Sequence, residues 1–409
     1  MQIGFQLEME ARKIKMPQPK LWTWPFIFLI LANLFTFMSF QMLLPNLPPY
    51  IESIGGSSLQ VGLITTMFAF AAIIIRPFIG HLLMTRPRKI LVLIGAISLL
   101  VMTALYPITQ VVVILLIIRF IHGIAWGWST TVNGTAAVDL VPRRRVGEGM
   151  GYFGLSVTVG MIMAPSLGIY LYQNYSFDLL VGIAAALGII AILLFSVTRF
   201  VTPEQVYKNQ EDPPRFSFTG SLIEKRSWYP ALVTILNTFG YGSVVTYIVI
   251  FGNEQGLTGT FLFYFFNAVF ATITRPVTGR YFDKNGPWKL IMICSFISFG
   301  AMWVLALASS NVHLIIAGAL FGIGFGSMMP ALQAWVISKT TTERSGIANG
   351  MYYSSIDLGI GSSAFILGFI YQFVETATLF KLSSFLFLFV LLLTILDYRK
   401  QTEPWVAPE

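Results

Sequence analysis

Asp357 lies deep in an apolar stretch, thirteen residues beyond Arg344, or about 20 Å along a helix rising 1.5 Å per residue. A charge at the centre of a membrane helix costs about 2.5–3.5 kcal/mol on the insertion scale, so such residues are rare and face protein or water. Burial disfavours the charged form of a carboxyl group, which suits Asp357 to carry a proton between two aqueous sides. The alternative is a polar pair with Ser or Asn across a helix interface. Arg119, some nine residues into another apolar run, is a permanent cation that could hold an anion or bias a nearby acid. His122, one turn further on, is of the residue type that can change charge near neutral pH. Their bland readings are a buried ion pair and a packing histidine. Arg76 and Arg275 stand some eight residues from the ends of their runs, where long side chains reach the surface. There they would brace a gate, with Asp139 and Asp283 as partners.

The elements that must position these residues are membrane helices. Of 409 residues, 56% are hydrophobic and only 11% charged, against about a quarter charged in soluble domains. Runs of about twenty apolar residues, each long enough to cross a bilayer, predict twelve spans at 23–49, 58–84, 89–107, 111–139, 148–172, 179–198, 228–251, 257–281, 288–308, 312–338, 345–373 and 378–397. Twenty-two of the 26 Lys and Arg residues fall in the segments on one side of these spans or within two residues of them, and the short loops on the other side hold none. The positive-inside rule then places both termini in the cytoplasm and explains the net charge of +8 without nucleic acid. The very short outer loops suit a bacterial inner membrane. The first fifteen residues carry charges and no apolar core, unlike a signal peptide.

The two halves repeat at a constant offset of 199 residues. Arg76-Pro77-x-x-Gly80 matches Arg275-Pro276-x-x-Gly279, Gly123 and Gly127 match Gly322 and Gly326, Arg145-x-Gly147-x-x-x-Gly151 matches Arg344-x-Gly346-x-x-x-Gly350, and Gly160 matches Gly359. The expected organisation is an N-terminal segment 1–22, a six-helix bundle 23–199, a linker 200–227 that carries Glu211-Asp212-Pro213-Pro214, a second six-helix bundle 228–398 and a tail 399–409. Parallel repeats of this kind belong to transporters that bind substrate between the halves near the midplane and rock one half against the other. Phe37, Gln41, Trp126, Asn133, Asn237, Tyr241, Met329 and Gln333 are the candidate cavity residues, because adaptable Met and aromatic faces suit amphipathic or cationic compounds. Gly160, Ala164 and Gly168 make one smooth face beside Pro165, so spans five and eleven are expected at the interface of the halves.

With these motifs the chain resembles the major facilitator superfamily along essentially its whole length. The family's loop signature, Gly-x-Leu-x-Asp-x-x-Gly-x-(Arg/Lys), is similar to Gly279, Asp283, Gly286 and Lys289. The first-half copy keeps Gly80, Leu82 and Arg88-Lys89 but has Met84 for the acid and Pro87 for the glycine. Arg119-Phe-Ile-His122-Gly123 resembles the fourth-span signature of proton-coupled members. Gly160 through Ala164-Pro165 to Gly168 resembles the fifth-span signature of antiporters, and Leu44-Pro45-Asn-Leu47-Pro48-Pro49 the first span of the twelve-helix drug/proton antiporters. The resemblance implies an all-α membrane fold of two six-helix halves and export of small molecules in exchange for protons. It implies a proton gradient as energy source and no cofactor. The bilayer, protons and a small-molecule substrate are the expected partners, with no obligate protein partner. A proton symporter for sugar uptake and a non-transporting membrane scaffold or sensor are the competing readings. No metal-ligand spacing, nucleotide-binding loop or catalytic constellation is present, so an enzyme is not expected.

Overall fold

Residues 20–142, 146–202, 216–340 and 345–401 are described by a computed structural model. The apolar runs become helices because hydrocarbon offers backbone N–H and C=O groups no partner, and a helix satisfies all of them internally. In chain order these are α1 (Trp24–Gln41), α2 (Leu47–Ser53), α3 (Ser58–Leu83), α4 (Arg88–Leu105), α5 (Val112–Leu140), α6 (Val146–Asn174) and α7 (Phe177–Val197). After the short α8 (Phe218–Leu222) come α9 (Trp228–Glu254), α10 (Thr260–Asn285), α11 (Pro287–Ala306), α12 (Asn311–Phe321), α13 (Ser327–Ser338), α14 (Ser345–Ile370) and α15 (Thr376–Lys400).

Eleven spans among the described residues are long and apolar enough to cross a membrane by length and composition. The twelfth, α10, has 26 residues, but Thr272, Thr274, Arg275, Thr278, Arg280, Asp283 and Lys284 make its second half too polar for that test. Its packing places it with the others: α10 lies against α12 as α3 lies against α5. The same correspondence recurs for α1 with α6 and α7 against α9 with α14 and α15, and for α4 with α5 and α7 against α11 with α12 and α15. The halves meet along two seams, α3 with α14 and α6 with α10.

Two spans are not the single helices expected. The first ends at Gln41, and α2 begins again at Leu47, because Pro45 lacks an N–H and its ring opposes the preceding turn. The tenth is α12 and α13 joined by a π-helical turn over Gly322–Gly326. Pro330 removes the N–H that would bond the carbonyl of Gly326, and the ladder widens there. Gly322 and Gly324 suit the turn for a second reason, since a Cβ on either would strike the backbone of α10 or α11.

The signature glycine Gly286 has φ +77° and both ends α10 and starts α11, a conformation glycine adopts at no steric cost. Its first-half counterpart Pro87 has φ −61° and cannot copy that turn. The connection is held by Arg88, which donates to the Leu83 carbonyl and, through Nε, to Asp139 Oδ2 at 2.6 Å.

Candidate functional site

A cavity of about 270 Å³ lies between the halves, in the part of the molecule nearer the Lys- and Arg-rich loops. Its walls come from the first half of α6, the middle of α9 and α10, the π turn with α13, and the first half of α14, including Met161, Tyr241, Asn267, Arg275, Phe325, Met329, Gln333, Tyr352 and Tyr353. A smaller chamber of about 50 Å³ adjoins it and shares Met161, Tyr241, Tyr353 and Ile356 with it. Phe37, Gln41, Trp126, Arg76 and Asp357 line this chamber.

The chemistry of the chamber is one ion pair. Arg76 on α3 and Asp357 on α14 meet at 2.5 Å across the seam between the halves, and both are buried. The Arg76 guanidinium also lies 5.8 Å from the centre of the Tyr353 ring. Among the described residues the other ion pair is Arg88 with Asp139. This corrects the expected gate braces: Asp139 pairs with Arg88 rather than Arg76, Arg76 pairs with Asp357, and Arg275 lines the main cavity. The side chain of Asp283 and all of Arg145 fall outside the described residues. Gly80 and Gly279 face open space.

Arg119 and His122 are brought together, but not with Asp357. Arg119 is fully buried within the N-terminal half, donates weakly to the Ile64 carbonyl (3.3 Å) and the Tyr106 hydroxyl (3.4 Å), and sits 4.2 Å over the Phe68 ring. His122 shares the same tyrosine at 2.9 Å through Nδ1, while its Nε2 has no partner. Phe40 and Phe68 pack against both residues with one side and line the Asp357 chamber with another. Tyr106, which joins the pair, was not singled out in the sequence. It follows α4, and only the packing of α4 on α5 brings it to His122.

Of the other expected cavity residues, Tyr241, Met329 and Gln333 line the main cavity. Tyr241 stacks on Phe325 with ring centres 4.6 Å apart, and Gln333 donates to Asn349 at 2.9 Å. Asn237 stands behind Met329, donating to its sulfur at 3.4 Å. Asn133 is not a wall residue. It belongs to a buried polar ladder with Asn33 (3.3 Å) and Ser129 (3.4 Å), which continues from Asn33 to Ser156. The smooth face of α6 also turns out to pack inside one half: Gly160 abuts Phe37, and Gly168 abuts the backbone of Met42. The seam face of α6 carries bulkier residues, among them Ser166 and Tyr170, which meet Phe261 of α10.

The seams are closed at the end away from the basic loops. Gly62 of α3 lies against Ala364 and Gly368 of α14 so tightly that no Cβ fits, and Thr66 donates to the Gly361 carbonyl at 2.9 Å. Gln173 bonds Thr260 across the other seam at 2.8 Å. Beyond the membrane spans, Tyr371 bonds both Glu52 of one half (2.9 Å) and Glu254 of the other (3.2 Å). Thr376 satisfies the second oxygen of Glu254. Burial and the charge of Glu254 push Glu52 above the ordinary carboxylate range, against the Tyr371 hydrogen bond, which lowers it. A raised carboxyl stabilises the closed arrangement fully below its ordinary titration range, and that stabilisation is lost as pH rises through the raised value. Spin labels at Ser53 and Gln255, in a Cys294→Ser background, will therefore move apart as outside pH rises past the ordinary carboxylate range. Tyr371→Phe, which removes the hydrogen bond that lowers Glu52, will shift the transition to higher pH. An inter-label distance independent of pH would refute this.

The sequence comparisons agree with this arrangement. The profile of the Major Facilitator Superfamily matches residues 29–310 and 286–409. An MFS-type transporter of Methanocaldococcus jannaschii is 24% identical over 385 residues, covering 91% of this chain and 97% of that protein. Multidrug resistance protein MdtG of Dickeya zeae is 24% identical over 379 residues, covering 87% and 91%. Among solved structures, a point mutant of the nucleoside transporter NupG superposes with a TM-score of 0.76 at 12% identity, covering 91% of this chain and 100% of that one. The human organic anion transporter MFSD10 gives 0.66 at 16% identity, covering 91% and 99%. Two six-helix halves related by a 199-residue repeat, a cavity between them and a profile match over nearly the whole chain lead to one assignment: the protein belongs to the major facilitator superfamily of membrane transporters.

Proposed function

We propose that this transporter exports small amphipathic molecules in exchange for protons by alternating access, with Asp357 as the proton carrier and the basic loops in the cytoplasm. The Arg76–Asp357 pair carries this reading. It joins the two halves beside the cavity, so protonating Asp357 removes the charge that holds α3 to α14 and couples proton binding to movement of the halves. Relatives at 24% identity that are named multidrug resistance proteins support export. The cavity and chamber expose two arginines, Arg76 and Arg275, to one carboxylate, Asp357, among the described lining residues. That balance favours molecules with an acidic or neutral head over lipophilic cations.

Everted membrane vesicles, acidified inside by respiration and read with a pH-sensitive dye, test the proposal. Amphipathic acids should release lumenal protons, and Asp357→Asn should abolish the response while the protein remains in the membrane. A response that survives Asp357→Asn would remove Asp357 as carrier. A lumen that grows more acidic with sugars alone would replace export by symport.

A further inference from the structure

The two seams between the halves are related by the internal repeat, yet they are built differently. Where α3 has Gly62 and Thr66 packed on α14, the 199-residue offset places Phe261 and Phe265 on α10. Where α14 has Asp357, α6 has Thr158. The bulky rings hold α6 and α10 apart on their outer side, leaving a groove of about 660 Å³ lined by Met163, Leu167, Phe261, Phe265, Thr272 and Ile273 among others. Its volume is that of a small-molecule site. Its Ser166 and Thr272 hydroxyls are already satisfied, by the Phe261 and Ala268 carbonyls, so apart from the Tyr170 hydroxyl it offers a ligand hydrocarbon surface.

The groove and the central cavity are back to back. On α10, Phe261, Phe265, Ala268 and Thr272 recur at helical spacing on the groove side, while Asn267, Ala271 and Arg275 recur on the cavity side. On α6, Val159 and Met163 face the groove, and Val157 and Met161 the cavity. Asn267 is buried, and its amide oxygen has no partner. The groove runs from Phe261 to Ile273, about 18 Å along the helix, and Arg275 stands just beyond its end towards the basic loops.

We propose that the α6–α10 seam is a lateral site for a single-chain lipophilic acid, such as a long-chain fatty acid, with its tail in the groove and its head between Arg275 and Asn267. Arg275 donates to the carboxyl group, and Asn267 accepts from it when it is protonated. The head points towards the basic end and the tail away from it; because the groove lies along the half of α10 away from the basic loops, the head sits near the middle of that helix. This inference rests on the transport reading above and names its substrate class.

The test is photolabelling of the full-length protein in nanodiscs with two palmitic acid analogues, one with a diazirine near the terminal methyl and one beside the carboxyl. The tail probe should label α6 and α10 around Met163, Phe265 and Ile273, and the head probe should label Met329 and Tyr353. Ile273→Trp, at an exposed position that cannot disturb the core, should lower tail labelling about tenfold, the worth of losing burial for some two methylenes. Arg275→Gln should move head labelling out of the cavity, and Arg275→Lys should restore part of it. Equal labelling of Leu193 and Phe296, on outward faces of α7 and α11, would show bilayer contact only and overturn the site. Labelling as expected, without acid-driven proton flux, would leave the site and remove antiport. Flux driven by short acids, without tail labelling in the groove, would leave antiport and remove the site.

Discussion

Arg76→Met alone will destabilise the protein by about 3–5 kcal/mol, and adding Asp357→Leu will return most of that loss. Both side chains are buried, and the partners of the pair come from opposite halves. Removing the guanidinium leaves a carboxylate facing Phe40, Phe68 and Tyr353, with no second cation bonded to it among the described residues. Removing both charges leaves an apolar seam that Met and Leu can fill. Thermal unfolding in detergent, followed by the loss of monodisperse protein, will order the variants: wild type and double mutant together, single mutant well below. The same double mutant will have no substrate-driven proton flux in everted vesicles. A double mutant no more stable than Arg76→Met would mean that the pair is not the unit that joins α3 to α14.

How much of this was legible in the sequence depends on whether the signal is local. The spans were, because each is a contiguous apolar run; even α10 was found despite Arg275, since an odd number of spans would break the alternation of charge in the loops. Asp357 stood out for the same reason, as a charge where charge is costly. Its partner did not. Arg76 is 281 positions away, and the repeat misdirected the assignment by pairing Arg76 with Arg275 in role. The repeat gives the two arginines equivalent backbone positions, but Asp357 has Thr158 as its counterpart, so one arginine became half of an ion pair and the other a cavity wall. Asn133 was misplaced for a different reason. A membrane helix is apolar on every side, so periodicity does not say which face meets the cavity, the neighbour or lipid. The break after Gln41 follows from Pro45, and the π turn at Gly322–Gly326 from Pro330; both prolines lie inside apolar runs that length alone reads as continuous.

The tightly packed α3–α14 seam can be made like the α6–α10 seam, which carries an outer groove. Gly62→Phe places on α3 the residue that the repeat puts at 261 on α10. A Cβ at position 62 already meets the Ala364 carbonyl and the Gly368 Cα, backbone atoms that cannot rotate away, so the ring fits only if α3 and α14 separate. Forcing bulk into a packed interface costs about 1–3 kcal/mol, and each 1.4 kcal/mol is tenfold in population. The closed outer end should therefore lose about ten- to a hundredfold in population. Spin labels at Ser53 and Gln255 will report the longer distance at acidic pH, where the wild type stays closed. Gly80→Ala, on the same helix, is the control: a Cβ there meets nothing within 4 Å, and the distance distribution should change little. The reciprocal change, Phe261→Gly, removes the prop from the α6–α10 seam and should shrink the lipid-facing groove, lowering tail labelling by the fatty acid probe without touching Arg275. If Gly62→Phe leaves the outer end closed, the glycine contact is not what seals it. The Glu52–Tyr371–Glu254 cluster and the Gln173–Thr260 hydrogen bond, which also link the halves at that end, would then have to hold it.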